Sequence, residues 1–413
     1  MSIDHVLKLY SQTIQSSYLH YGFWDDPDSI NLDQVTLLEI KDAQNKYIEH
    51  LSSFIRGDVK LLLDVGCGIG GNAEYLQTKG YKVETLSPDD YQKSVIKEKF
   101  NGSMKFHHCK FEKFNPEKLV GMIPQEYADF RVDILEKHDI QAPELRTINT
   151  DGSGFAANTQ AGGAKALLDV AFEHPIKLIA NALGVPPDWM LQMGKDNDVP
   201  VAALLGTAQH AINQVKAGVD ILVVSGTEAG GHCGSVSTMV LIPEVYEAIQ
   251  PYGDVPILAA GGIVTGKQMA AAMTMGASGA WCGSVWLTTV ESEIHPVVKE
   301  KMIAANSSQT VRSRSRTGKH SRQLVSPWTD AWESDKAPDP LPMPLQPMVA
   351  EPALAKVNKL AAGGHDGAKD LATHFVGQGV GLMNQTISAS DVVQEFKEDF
   401  LNAYERLDGF LQE

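Results

Sequence analysis

The alternation of short apolar runs with helical patterns restricts the fold of this chain more than any other feature. Apolar runs lie at 59–65, 81–86 and 104–111, and again at 176–183, 200–205, 219–225, 255–260 and 278–283. Each is short enough for a strand, and all but 104–111, which is less apolar but alternates, run into glycine, proline or small polar residues. Helical patterns follow at 71–79, 186–195, 207–217, 243–250 and 266–275. Strand and helix in turn is the rhythm of a parallel sheet, because parallel neighbours need a crossover long enough to hold a helix. The expected class is therefore α/β.

The alternation is interrupted once. Near 114–118 the character of the chain changes, and 121–174 reads as mostly helical, with a glycine-rich stretch at 150–163 expected as a mobile loop. Residues 1–56 are helical in pattern and rich in aromatic and acidic side chains. From about 291 come a helix, a basic loop, a proline-rich loop at 337–347 and terminal helices, with no repeat at a fixed period. Two parts are expected, 1–118 and 119–413.

Composition sets limits on partners. Of 413 residues 43% are apolar, enough for a sizeable core. Acidic residues outnumber basic ones 51 to 35, and a net charge of −16 repels a phosphate backbone, so nucleic acid is not expected. Cys67, Cys109, Cys233 and Cys282 are scattered without paired spacing, which points to neither a metal site nor a disulfide framework. The start shows no basic segment followed by an apolar run, and no stretch approaches the roughly 18 apolar residues of a membrane span. A cytoplasmic protein with no membrane partner is expected; oligomeric state is not legible.

The first run ends in Asp64-Val-Gly66-Cys-Gly68-Ile-Gly70-Gly71 and opens a helix. Glycines permit a tight turn and close approach of a ligand, and the free amides at a helix start suit an anion. A plain turn and a ligand loop both remain open readings. With the entry segment Tyr21-Gly-Phe-Trp24, residues 10–114 resemble the front half of a class I S-adenosylmethionine-dependent methyltransferase. The resemblance implies S-adenosylmethionine near Asp64, Gly66 and Gly68. The second run lacks an acid where that family holds the ribose, and the family's later strands do not follow.

In the rest of the chain, glycines close two successive runs at Gly261-Gly262 and Gly283-Ser284, and two more precede His232. At the ends of the last two strands of a parallel barrel, glycine turns aim backbone amides at a phosphate, and Ser284 adds a hydroxyl. An imidazole titrates near neutral pH, which suits proton abstraction. Five separated motifs, at 176–182, 226–232, 259–263, 283–287 and 377–381, make 121–407 resemble the nitronate monooxygenases, FMN flavoproteins once called 2-nitropropane dioxygenases. The resemblance implies a TIM-like (β/α)8 barrel that oxidises nitronates or nitroalkanes with oxygen. His232 would be its general base, and Gly230, Gly231, Gly261, Gly262, Gly283, Ser284 and Gln378 would lie on FMN. Cys233 is expected to be a packing residue, Trp281 and Trp286 core, and Arg312, Arg314 and Arg316 a solvated face.

Such a barrel begins with three strands that are missing here, whereas the front of the chain supplies three others. Three and five make eight, so one expectation is a composite barrel in which 59–65 pairs with 278–283. The alternatives are two incomplete domains in tandem, a methyltransferase working through 64–71, or an inactive fusion.

Overall fold

Three of the apolar runs build the sheet of the first unit. In the computed structural model the described residues are 37–53, 55, 59–65, 67, 69–87, 89–108, 120–145 and 161–412. The chain divides into two units, Met1–Lys118 and Leu119–Glu413. In the first, helix α1 (Leu37–Ser53) precedes β1 (Leu61–Val65), α2 (Gly71–Thr78), β2 (Lys82–Leu86), α3 (Asp90–Lys99) and β3 (Lys105–His107). The strands are parallel in the order β1-β2-β3. Asp89 starts α3 by accepting the Gln92 amide at 2.7 Å, satisfying one of the free donors of a helix start. Ile48, Ala73, Leu76, Val83 and Ile96 form the core between sheet and helices.

The second unit opens with α4 (Gln125–Glu136) and α5 (Ala161–Ala171). Four βα repeats follow: β4 (Ile179–Asn181), α6 (Asp188–Asp196), β5 (Val201–Leu205), α7 (Ala208–Ala217), β6 (Ile221–Ser225), β7 (Gly231–His232), α8 (Thr238–Ile249), β8 (Ile257–Ala260) and α9 (Gly266–Thr274), with β9 (Gly279–Trp281) last. Strands β4-β5-β6-β8-β9 form one parallel sheet in that order. Both faces are buried, as a parallel sheet requires. Leu222 and Val224 pack outward on Leu241, Ile242 and Val245, while Val223 packs inward with Ala202, Ala260 and Trp281.

Two features depart from expectation. The basic loop folds as a hairpin, β10 (Thr310–Ser313) and β11 (Ser321–Leu324), and β11 also pairs with β7. Arg314 and Arg316 are not a solvated face: Arg314 bonds Asp339 and the Pro340 carbonyl, and Arg316 pairs with Glu351 at 2.7 Å. Helix α8 starts five residues before its expected start at 243, since Pro243 lies within the helix rather than at its first turn.

Helices α10 (Pro296–Ala304), α11 (Pro327–Trp332), α12 (Leu345–Ala362), α13 (Asp366–Leu371) and α14 (Ala389–Gln412) complete the chain. Gly266 lets α14 lie close on α9, because a Cβ there would collide with the Phe396 carbonyl. The expected pairing of 59–65 with 278–283 is not among the ladders of the described residues: β1 pairs with β2 and β9 with β8. Residues 150–160 of the expected loop and 1–36 of the helical entry lie outside the described residues. Among the described residues no helix is long and apolar enough to cross a membrane.

Candidate active site

His232 owes its position to backbone pairing. In β7 it faces Ser321 of β11, with Gly231 opposite Arg322. Arg322 in turn donates to the Thr227 carbonyl at 2.8 Å and to Thr310 Oγ1 at 3.1 Å, tying the loop after β6 to the hairpin. The imidazole is open to solvent on one side, and its partial burial, reinforced by the ammonium of Lys319, moves it below the ordinary histidine range. That direction favours the uncharged form, the one a base needs.

A cavity of about 370 Å³ opens at the C-terminal ends of β6, β8 and β9. His232, Gly230, Gly261, Gly262, Gly283 and Ser284 all line it. Three of these glycines have reasons within the fold. A Cβ on Gly230 would lie 2.8 Å from the Gly377 nitrogen, and one on Gly261 2.8 Å from Thr238 Oγ1. Gly262 has φ +73°, and its Cβ would meet Glu228 Cβ at 2.9 Å. Gly283 differs: nothing lies within 4 Å of the position its Cβ would take. Ser284 Oγ accepts the Gly377 amide at 2.8 Å, so its proton is free for an acceptor in the cavity.

The loop between β6 and α8 is held by Glu228, whose Oε2 accepts both the amide and the hydroxyl of Thr238 at 2.8 Å. That carboxylate caps α8 in place of a side chain at the usual capping position. The Glu228 carbonyl accepts the Gln378 amide at 2.9 Å. Gln378 thus fastens the C-terminal segment through its backbone, and neither it nor Gly231 is among the residues lining the cavity.

Several lining residues carry no signal in the sequence. His374 and Phe375 enter the wall from just before the 377–381 motif, and Trp281, expected as core only, also faces the cavity. Phe375 lies 6.5 Å from the His232 ring, with the Arg316 guanidinium 4.4 Å above its centre. Burial and the Arg316 charge push the His374 imidazole below its ordinary range. A second cavity, of about 470 Å³, shares Leu204, Ser225 and His232 with the first and is lined further by His210, Cys233, Lys319 and His320. Trp286 is partly exposed and donates its indole N–H to the Cys282 carbonyl at 2.8 Å.

In the first unit only Asp64 of the three adenosylmethionine candidates can be placed; Gly66 and Gly68 lie outside the described residues. Asp64 sits in β1, and its Oδ2 has no hydrogen-bond partner among them. Burial pushes its carboxyl up to about 6. Burial first and the Asp64 charge second push the neighbouring Cys67 thiol up to about 12.

A family model described as nitronate monooxygenase matches residues 133–399. Over 292 residues the chain is 49% identical to a Mycobacterium tuberculosis protein, Rv1533, that bears the name of a monooxygenase; the match covers 70% of this chain and 76% of that one. A Bacillus subtilis protein bearing the name nitronate monooxygenase is 28% identical over 241 residues, covering 56% of this chain and 66% of its own length. Among solved structures, FabK from Thermotoga maritima superimposes with a TM-score of 0.51 at 28% identity, over 61% of this chain and 76% of that one. Nitroalkane oxidase from Streptomyces ansochromogenes gives 0.56 at 20% identity, over 84% and 90%, a likeness of TIM-barrel-like fold. The adenosylmethionine reading of 64–71 draws no support from the family match, which begins at 133.

Proposed function

The chain belongs to the nitronate monooxygenase family, a family of flavin oxidoreductases, and from that premise we propose that it oxidises nitronates or nitroalkanes with oxygen, using FMN and His232. The observation that carries the proposal is the convergence of His232, Gly230, Gly261, Gly262, Gly283 and Ser284 on one cavity.

The donor set fits a flavin phosphate. Gly283 leaves open space where any other residue would place a Cβ, and the Ser284 hydroxyl retains its proton for an anionic oxygen. Gly261, Gly262 and Ser284 would hold the phosphate, with Gly230 against the remainder of the molecule. When bound, such a flavin supplies acceptance of electrons from the substrate and their delivery to oxygen.

The chain's own part is to orient the substrate and move a proton. The second cavity gives a nitroalkane room beside His232, and the neutral imidazole takes the proton from the carbon next to the nitro group. Because protonation abolishes a base, turnover of nitroalkanes should rise as pH rises through a pKa lying below the ordinary histidine range.

The test is oxygen uptake by the FMN-loaded full chain. His232→Ala should lower turnover of nitroethane on the order of a hundredfold or more, the usual scale of general-base loss. Ethylnitronate, which has already lost that proton, should be affected far less. Equal turnover of nitroethane by variant and parent would remove His232 from the reaction.

A further inference from the structure

The proton of a neutral imidazole can sit on either ring nitrogen, and only the bare nitrogen is a base. His232 presents Nε2 to Thr317 Oγ1 at 2.8 Å, a distance that fits either direction of donation. The other partners of Thr317 decide the direction. Its hydroxyl lies 3.1 Å from the Lys319 carbonyl and 3.3 Å from the Lys319 amide nitrogen. A carbonyl can only accept and an amide N–H can only donate, while a hydroxyl has one proton and two lone pairs.

One assignment satisfies all three contacts. The hydroxyl donates to the Lys319 carbonyl, and its lone pairs accept the Lys319 amide and an Nε2–H. If the hydroxyl instead donated to Nε2, it would set a lone pair against the Lys319 carbonyl oxygen at 3.1 Å. We infer that Thr317 is a positioning residue: it fixes His232 as the Nε2–H tautomer and so leaves Nδ1 as the nitrogen that takes the substrate proton.

The surroundings make this a fixed arrangement. Thr317 is buried, with 7% of its surface exposed. Its turn is closed by the Gly318 amide on the Arg314 carbonyl at 2.9 Å and by Arg314 Nε on the Gly318 carbonyl at 3.1 Å. The His232 backbone is held by the start of β11, the strand into which the turn bearing Thr317 runs. Nδ1 makes no hydrogen bond to the described residues. Lys319, His320 and Cys233 share one cavity with the ring, and His374 the other.

The inference rests on the reading of His232 as base and gives that step an atom. The carbon–hydrogen bond of the nitroalkane breaks, the proton goes to Nδ1, and the bonding pair stays on the substrate, spread over the nitro oxygens. The ring becomes an imidazolium whose Nε2–H remains donated to Thr317, and its positive charge balances the new negative one.

The experiment uses the FMN-loaded full chain carrying ¹⁵N-histidine, with His232→Asn to assign the signal. At pH 8 the His232 signals should show a protonated Nε2 and a bare Nδ1 in the parent and in Thr317→Ser. Thr317→Val should shift them toward the other tautomer. The same variant should lose on the order of tenfold in turnover of nitroethane, with ethylnitronate changed less than about twofold and Thr317→Ser restoring both. A protonated Nδ1 in the parent overturns the inference even where His232→Ala abolishes nitroethane turnover. A protonated Nε2 combined with unaffected nitroethane turnover in His232→Ala removes the base reading and, with it, the part that Thr317 plays in turnover. If Thr317→Val does not fold, the parent spectrum and the serine variant still decide.

Discussion

A glycine at a strand end can serve the fold, a ligand or both, and substitution separates these roles. Gly262 occupies a left-handed conformation with Glu228 against its missing Cβ, so Gly262→Ala should cost roughly 1–3 kcal/mol, read from the urea midpoint. Gly283 has an ordinary φ of −114° and free space, so Gly283→Ala should keep stability within about 0.5 kcal/mol yet weaken FMN binding. Asp64 makes a different prediction. Its carboxyl is pushed up to about 6 from an unfolded value near 3.8, so the folded state prefers the protonated form. That contribution is complete below about pH 4 and is lost as pH rises through 6, which Asp64→Asn should remove. A stability of the full chain that varies with pH equally in both proteins would contradict it. That His232 and these glycines would lie near one another was legible, because each follows an apolar run and the ends of parallel strands meet at one rim. Thr317, His374 and Phe375 were not, since a threonine or a phenylalanine gains its role only from the hairpin and segment that bring it to His232.

The hairpin β10–β11 shows why a charged pattern can mislead. Arg312, Arg314 and Arg316 alternate with small residues as a solvated face would, yet Arg312 lies in β10, where alternation is the period of the strand, and Arg314 and Arg316 lie in the turn after it, held by Asp339, the Pro340 carbonyl and Glu351. The arginine opposite Arg312 in the ladder, Arg322, is 7% exposed and meets the Thr227 carbonyl. Strand and helix centres were legible from apolar periodicity, whereas β7 is two residues long and exists only because β11 lies beside it. A second clamp acts on the segment bearing His374 and Phe375. Lys301 Nζ donates to the carbonyls of Lys369, Asp370 and Ala372 at 2.8–2.9 Å, at the end of α13. Lys301→Met leaves these carbonyls without their cation, and should destabilise the protein by roughly 1–3 kcal/mol. Amide exchange at 372–377 should quicken more than in α8; unchanged exchange there would show that the clamp holds nothing.

At the scale of the whole molecule, the eight expected strands are present as three and five, each set parallel and in sequence order. The count was legible because each strand needs its own apolar run; the pairing of the outermost strands was not, because an edge carries no pattern that names its neighbour. The most direct test of the central claim is the flavin itself. The full chain, purified, stripped and reloaded, should bind one equivalent of FMN in preference to riboflavin, which lacks the phosphate, and Gly283→Val should abolish that binding while keeping the fold. Failure to bind FMN, or equal binding by Gly283→Val, would contradict the account.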